Sequence, residues 1–307
     1  MLKINGKTIT GVVYKGKRIQ RIMVGGKKYY DMYDGKIIGN ALQAGSVSIG
    51  GKTYSYGAGY FELNIGELSV GSLYMAFRNK NLSTITHIGI DTSRVTSFSY
   101  AFDANSNLES LNLAGVSTQN VTGMYGMFQG CSSLTSLDVS NFNTQNVTGM
   151  PSMFQGCSSL TSLDVSNFNT QNVIDMQSMF QGCSSLTSLD VSGFGTQNVT
   201  NMYGMFLNCS SLTSINLGDK FDASKVSSVT YMFQSCSSLK TITGNIKNLS
   251  ISLNLSSCPL DHDSAMRIIN GLATVTTAQT LTLSSTTKST LSATEKAVLI
   301  NKGWTLA

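Results

Sequence analysis

A block of 26 residues recurs along this chain so faithfully that residues 127–147 and 153–173 both read MFQGCSSLTSLDVSNFNTQNV. A period of that length predicts a coiled, repetitive backbone rather than one globular core. Each unit is too small to bury its apolar side alone, so units must stack, and stability becomes a near sum of units and interfaces. In such a chain, function is expected on the long repeated surface and not in a catalytic cleft.

The phase of the repeat is set by Cys131, Cys157, Cys183, Cys209 and Cys236, spaced 26, 26, 26 and 27 residues apart. Leu134, Leu160, Leu186, Leu212 and Leu239 follow three residues later, then Leu137, Leu163, Leu189 and Ile215, then Val139, Val165, Val191 and Leu217. L-T-S-L-D-V is thus an L-x-x-L-x-V segment, read as a short strand with aliphatics inward and Asp138 outward. Met124, Met127 and Phe128, and their copies, are spaced three and four apart, which predicts one face of a short helix. Thr122, Thr148 and Thr200 stand where a capping hydroxyl is wanted, and Gly130, Gly156 and Gly182 where a left-handed closing residue is wanted. Weaker copies at Ala76-Phe77 and Ala101-Phe102 extend the array to about seven coils. The fold class expected is an α/β repeat solenoid of leucine-rich-repeat-like coils, each a short strand plus a short helix, over residues 73–255.

The flanks differ. Residues 1–39 carry Asn5-Gly6, Lys15-Gly16, Gly25-Gly26 and Asp34-Gly35 about ten residues apart, between β-rich runs, which predicts a basic β-hairpin module. Residues 40–72 continue as a β-rich transition. Residues 256–307 read as an α/β C-terminal cap: a helix over 261–272, a strand at 280–283, a helix opened by a Ser292/Glu295 capping box, and a last strand at 304–306.

Charge is uneven. Nine of the 21 Lys and Arg residues fall within residues 1–36, against Asp31 and Asp34, and the remainder carries net −2. No basic stripe is available to track phosphates, so nucleic-acid binding by the repeats is not expected. Lys7, Lys15, Lys17, Arg18, Arg21, Lys27 and Lys28 are instead candidates for docking the module to another protein. The opening MLKINGKTIT has no apolar stretch of signal-peptide length, and no run could span a bilayer, so synthesis without signal-directed export is expected. Five cysteines share one inward position per coil and read as a buried ladder of free thiols, with no short-spaced pair for zinc. Gly50-Gly51-Lys52-Thr53 lacks the first glycine of a phosphate-binding loop, because residue 46 is serine, and reads as a hairpin turn. His87 and His262 lack a nucleophile partner in the pattern. No cofactor and no enzymatic activity are expected.

The polar feature most suggestive of a ligand is an outward row: Asp138, Asp164 and Asp190, continued by Asn216 and flanked by Thr135, Thr161 and Thr187. Such a row suits a cation or a polyol such as a glycan, and equally a plain solvated sheet face.

The unit N-V-T-x-M-x-x-M-F-x-G-C-S-S-L-T-S-L-D-V-S-N-F-x-T resembles the repeat of BspA-like leucine-rich-repeat surface proteins. That resemblance implies adhesion and surface recognition, and it carries no catalytic residues. The opening LKINGKTITGVVYKGK and the ending TLTLSSTTKSTLSATEKAVLINKGWTL resemble flanks of phage and prophage tail-associated proteins. Together these imply a non-enzymatic virion protein, tail- or fibre-associated and assembled in the host cytoplasm. Its array would bind a bacterial surface glycan or protein, and its N-terminal module other virion proteins, without membrane insertion. A bacterial cell-surface or secreted adhesin is the alternative, and a structural spacer or decoration protein a third. Solenoid edges and basic hairpins also permit a homo-oligomer.

Overall fold

The computed structural model describes residues 36–49, 51–64 and 71–307, together with the backbone of four short strands ahead of residue 36. Those four, β1 (Lys3–Ile4), β2 (Lys7–Thr10), β3 (Ile22–Val24) and β4 (Lys27–Tyr30), pair antiparallel in chain order. Lys15, Lys17, Arg18 and Arg21 lie outside the described residues, as do the side chains of Lys7, Lys27 and Lys28.

Next come β5 (Lys36–Ala41), β6 (Gly45–Ile49), β7 (Lys52–Tyr56), β8 (Gly59–Asn64) and β9 (Leu82–Ile88). β5 runs across the boundary expected at residue 39. It pairs antiparallel with β8 on one side and with β9, the first strand of the array, on the other. Strands β5 and β8 therefore cover an edge that would otherwise offer unpaired N–H and C=O groups. β6 and β7 form an antiparallel pair with Gly51 at φ 77°, so the phosphate-loop-like sequence is a turn.

The array itself combines few strands with no α-helix. β10 (Ser110–Leu111) pairs parallel with β9, and β11 (Ser188–Asp190), β12 (Ser214–Asn216) and β13 (Thr241–Thr243) form a parallel sheet in exact 26- and 27-residue register. Leu137 and Leu163, in the two most faithful copies, point inward as expected but lie outside any strand. The continuous ladder is on the opposite limb. Parallel bridges link Ser97, Gly123, Gly149, Asp175, Asn201 and Ser228, one unit to the next.

That limb overturns the expected helix. Met124, Gly126, Phe128 and Gly130 donate their N–H groups to the carbonyls of Gly149, Pro151, Met153 and Gln155 in the following unit (3.2, 2.9, 2.9 and 2.7 Å). Gln129 and Cys131 close local turns onto Gly126 and Phe128. Alternate N–H groups thus leave the unit, and an i→i−4 ladder cannot form. Each unit also places one residue in the left-handed region: Met75, Tyr100, Gly126, Ser152, Ser178, Gly204 and Tyr231, with φ between 52° and 60°. A left-handed residue stops a right-handed helix. The closing glycines Gly130, Gly156 and Gly182 are left-handed as well, at φ 71–73°. The capping role expected of Thr122, Thr148 and Thr200 is absent; their hydroxyls donate to the preceding unit's carbonyls, at Thr96, Thr122 and Ile174.

The core is a set of ladders. Phe77, Phe102, Phe128, Phe154, Phe180, Phe206 and Phe233 stack with centroids 5.2–5.7 Å apart. The cysteines are free and buried, and their S–H groups donate to phenylalanine carbonyls of the preceding unit, as from Cys157 to Phe128 at 3.2 Å. Burial pushes the thiols of Cys131 and Cys183 up to about 12, which keeps them protonated and inert. One unit upstream, Asn105 takes the same place and donates to Phe77 and Phe102. A buried threonine row does comparable work. Thr118, Thr144 and Thr170 donate to the next unit's carbonyls at Asn143, Asn169 and Gly195, and the first two accept the N–H of Asn143 and Asn169 at 2.7 Å. Interior polar groups are thereby satisfied between units, as burial requires.

After β14 (Leu253–Leu255) the return limb becomes helical: α1 (His262–Gly271), β15 (Gln279–Leu283), α2 (Ser285–Thr290), α3 (Ala293–Asn301) and β16 (Trp304–Leu306). β14, β15 and β16 form a parallel sheet. Asp261 caps α1 through the N–H of Ser264, and the Ser292/Glu295 capping box opens α3. α2 has no counterpart among the expected elements.

Candidate recognition surface

The L-x-x-L-x-V limb puts Thr135, Thr161 and Thr187 and the carboxylates Asp138, Asp164 and Asp190 on the exposed side, in register with Asn216. Each carboxylate is committed locally. Asp138, Asp164 and Asp190 accept the N–H of Ser140, Ser166 and Ser192, two residues on, at 2.9, 2.9 and 2.8 Å. Asn112 and Asn216 make the same bond to Ala114 and Gly218. The position therefore selects Asp or Asn because a short side-chain acceptor closes the turn after the inward segment. Hydrogen bonds from the serine two residues on hold all three carboxyls below the usual carboxylate range, and mutual repulsion is a minor opposing effect at Asp164. At the array's end the row becomes a chain: Asn216 donates to Asp190 (3.1 Å), and Thr243 to Asn216 (3.0 Å).

Among the described residues no three His, Cys, Asp or Glu side chains converge as a metal site would require. The row presents a flat, evenly spaced polar strip with carboxylate oxygens and threonine hydroxyls facing outward. His262 is engaged elsewhere, bridging Glu295 at 2.9 Å and Asp263 at 3.3 Å.

A second polar surface escaped the repeat-based reading. Two adjoining hollows, of ≈ 560 and ≈ 530 Å³, open near the downstream end of the array and share Asp219 and Lys220. The first also takes in Asn167, Asn169, Gln171, Gln197 and Lys247, and the second reaches Arg267 on α1. Two departures from the repeat create this space. Asn141 and Asn167 become Gly193 in the next unit, as Asn143 and Asn169 become Gly195. One unit further on, an extra residue enters at Asp219-Lys220, the source of the 27-residue step between Cys209 and Cys236. That break in the period was the available signal.

No helix among the described residues is long and apolar enough to cross a membrane. A family described as "Mycoplasma protein of unknown function, DUF285" matches residues 71–164 and again residues 135–248, so the two matches together run through more than half of the chain. No curated protein matches significantly.

Proposed function

This chain belongs to the family described as Mycoplasma protein of unknown function, DUF285, and from that premise we propose that it is a non-enzymatic recognition protein. The frame is read as a solenoid related to leucine-rich repeats, in which the array is the binding element and the flanks are its attachments. One observation carries this reading. The exposed row of Thr and Asp residues repeats at a fixed pitch on a stack tied together by inter-unit hydrogen bonds and a phenylalanine column. A rigid, evenly spaced polar strip suits a ligand that is itself repetitive, such as a surface polysaccharide, and its order before binding lowers the entropic cost of contact.

The particular setting proposed is a phage or prophage virion, with the chain tail- or fibre-associated and facing the bacterial host. The resemblance of both flanks to tail-associated proteins supports it. The antiparallel sheet of β1 to β4 and the basic residues near it would dock to other virion proteins. A bacterial surface adhesin is the second reading, favoured by the family's description as Mycoplasma proteins.

The experiment is binding of the fluorescently labelled full chain to a panel of bacteria that includes its source and that organism's relatives, beside immunogold labelling of particles induced from the source. Saturable cell binding with gold on tail tips supports the virion reading. Cell binding with gold on the cell envelope transfers the chain to the adhesin reading. No cell binding sinks recognition and leaves a spacer.

A further inference from the structure

Along most of the array the outer turn is sealed by asparagine. The Asn141 amide donates to the carbonyls of Leu113 and Val116 at 3.0 and 2.9 Å, and that of Asn167 to Val139, Ser140 and Phe142 at 3.1, 3.1 and 2.8 Å. At Gly193 the series stops. No side chain reaches the carbonyls of Ser166 and Phe168, which therefore face the larger hollow as open acceptors. Neither the backbone nor packing requires these glycines. Gly193 and Gly195 lie outside the left-handed region. A Cβ on Gly193 would meet only the Ser166 carbonyl, at 3.4 Å, and one on Gly195 would first meet the terminal oxygen of Gln197, at 3.0 Å. Their effect is to leave room.

The charges around the room are not balanced. Asp219 is held by Lys247, whose ammonium donates to the Asp219 carbonyl at 2.7 Å and stands 4.0 Å from its carboxylate. Asp222 accepts from the Ser224 N–H and the Asn248 amide. Lys220 has no carboxylate within ion-pair distance among the described residues, and Arg267 adds a second cation to the adjoining hollow. The lining thus offers carbonyl acceptors, side-chain amides that both donate and accept, and an uncommitted ammonium. Its one aromatic side chain, Phe168, is itself buried. Hydroxyl groups satisfy amides and carbonyls, an acid group satisfies Lys220, and an apolar ligand satisfies neither. Each hollow falls within the usual range for a small-ligand site.

We infer that the Gly193–Lys220 groove binds an oligosaccharide bearing a carboxylate or phosphate group, at the downstream end of the array. The inference rests on the recognition reading and narrows it to a ligand class and a place. Carbonyls and amides hold the ring hydroxyls, and Lys220 reads the acid group.

The test titrates the full chain by calorimetry with hexamers of galacturonate and of mannuronate, and with their methyl esters, which keep the hydroxyls and lose the charge. Gly193→Asn/Gly195→Asn restores the sequence of the preceding units and fills the groove, and Lys220→Ala removes the cation. The wild type is expected to bind an acid hexamer at least tenfold tighter than its ester. The double variant should lose at least tenfold for both forms with an unchanged melting temperature, and Lys220→Ala should bring the acid down to the ester's level. Absence of hexamer binding by the wild type overturns the groove, as does binding that survives the double variant. Cells still bound by the double variant would sink the groove and leave the recognition reading standing. Hexamers bound through the groove, with no cell bound by the wild type, would sink host-surface recognition and leave the groove.

Discussion

The repeat array and the C-terminal cap are built on the same inward limb and differ on the return. Leu253, Leu281 and Leu306 continue a parallel ladder like that of Leu189, Ile215 and Ile242. In the cap the return is α1 and α3; in the array it is a stack of left-handed turns. Both limbs carry apolar residues three and four apart, so that spacing alone does not distinguish them. The destination of the backbone N–H groups does. In the cap, Asp261 and the Ser292/Glu295 box satisfy first-turn donors and let i→i−4 bonds propagate. In the array a neighbour every 26 residues offers carbonyls in register, and alternate N–H groups go there instead. The neighbour's identical backbone competes with the helix and wins.

The largest expected effect tests the array's column. Phe154 is fully buried between Phe128 and Phe180, and Phe154→Ala should cost about 3–5 kcal/mol, read by denaturant unfolding. A loss confined to the array's signal, with the helical circular dichroism of the cap intact, would show that the two regions unfold separately. Gly204→Ala sharpens the contrast through its sign. A Cβ there meets nothing closer than 3.5 Å, so the substitution isolates the backbone at φ 56°. Were this limb helical, alanine would stabilise it by about 1 kcal/mol; the left-handed turn predicts a loss of about 1–2 kcal/mol. A higher melting temperature would refute the turn. Ser292→Ala removes the capping box and should cost about 1 kcal/mol, with helical signal lost first.

The smallest effect is pH dependence, and its sign differs between the regions. Hydrogen bonds to Asp263 and Glu295 raise His262 above its ordinary value, so its contribution is full below 6.5 and fades as pH rises through the raised value. Bonds from Ser292 lower Glu295, so its contribution fades as pH falls below the ordinary 4.5. The cap therefore has a weak optimum between those limits. The array's Asp138, Asp164 and Asp190 are lowered only, and their contribution is lost as pH falls below 3.8. These groups are exposed and screened, so each shift should be small. His262→Ala should flatten the alkaline side of the cap's melting profile and leave the array's profile unchanged.

Much of the candidate surface was legible as position and little of it as role. The outward register of Asp138, Asp164 and Asp190 follows from alternation with buried Leu and Val. Their turn-closing bond to the residue two positions on was foreshadowed only by the Asp/Asn choice at that site. The groove was invisible to a reading that sought what repeats, because it exists where Gly193, Gly195 and the extra residue at Asp219-Lys220 depart from the repeat. The buried Thr118, Thr144 and Thr170 passed for surface residues, since a hydroxyl reveals its partner only when the next unit is in place. The expected hairpin module and its Lys and Arg set fall largely outside the described residues.

The sequence by itself determined the period, the inward ladders of Leu, Val, Phe and Cys, the left-handed closing glycines and the capped helices of the C-terminal segment. Each of these follows from local chemistry: apolar spacing, side-chain size, or a polar group within a few residues of the donor it satisfies. Tertiary structure decided the conformation of the Met-Phe limb, the strandless inward segments at Leu137 and Leu163, and the hollow beside Gly193. Those depend on hydrogen bonds between residues some 26 positions apart. A donor with two acceptors in reach goes to the one that the stacked neighbour has already fixed in place, and a missing side chain makes a cavity only once the walls around it are assembled.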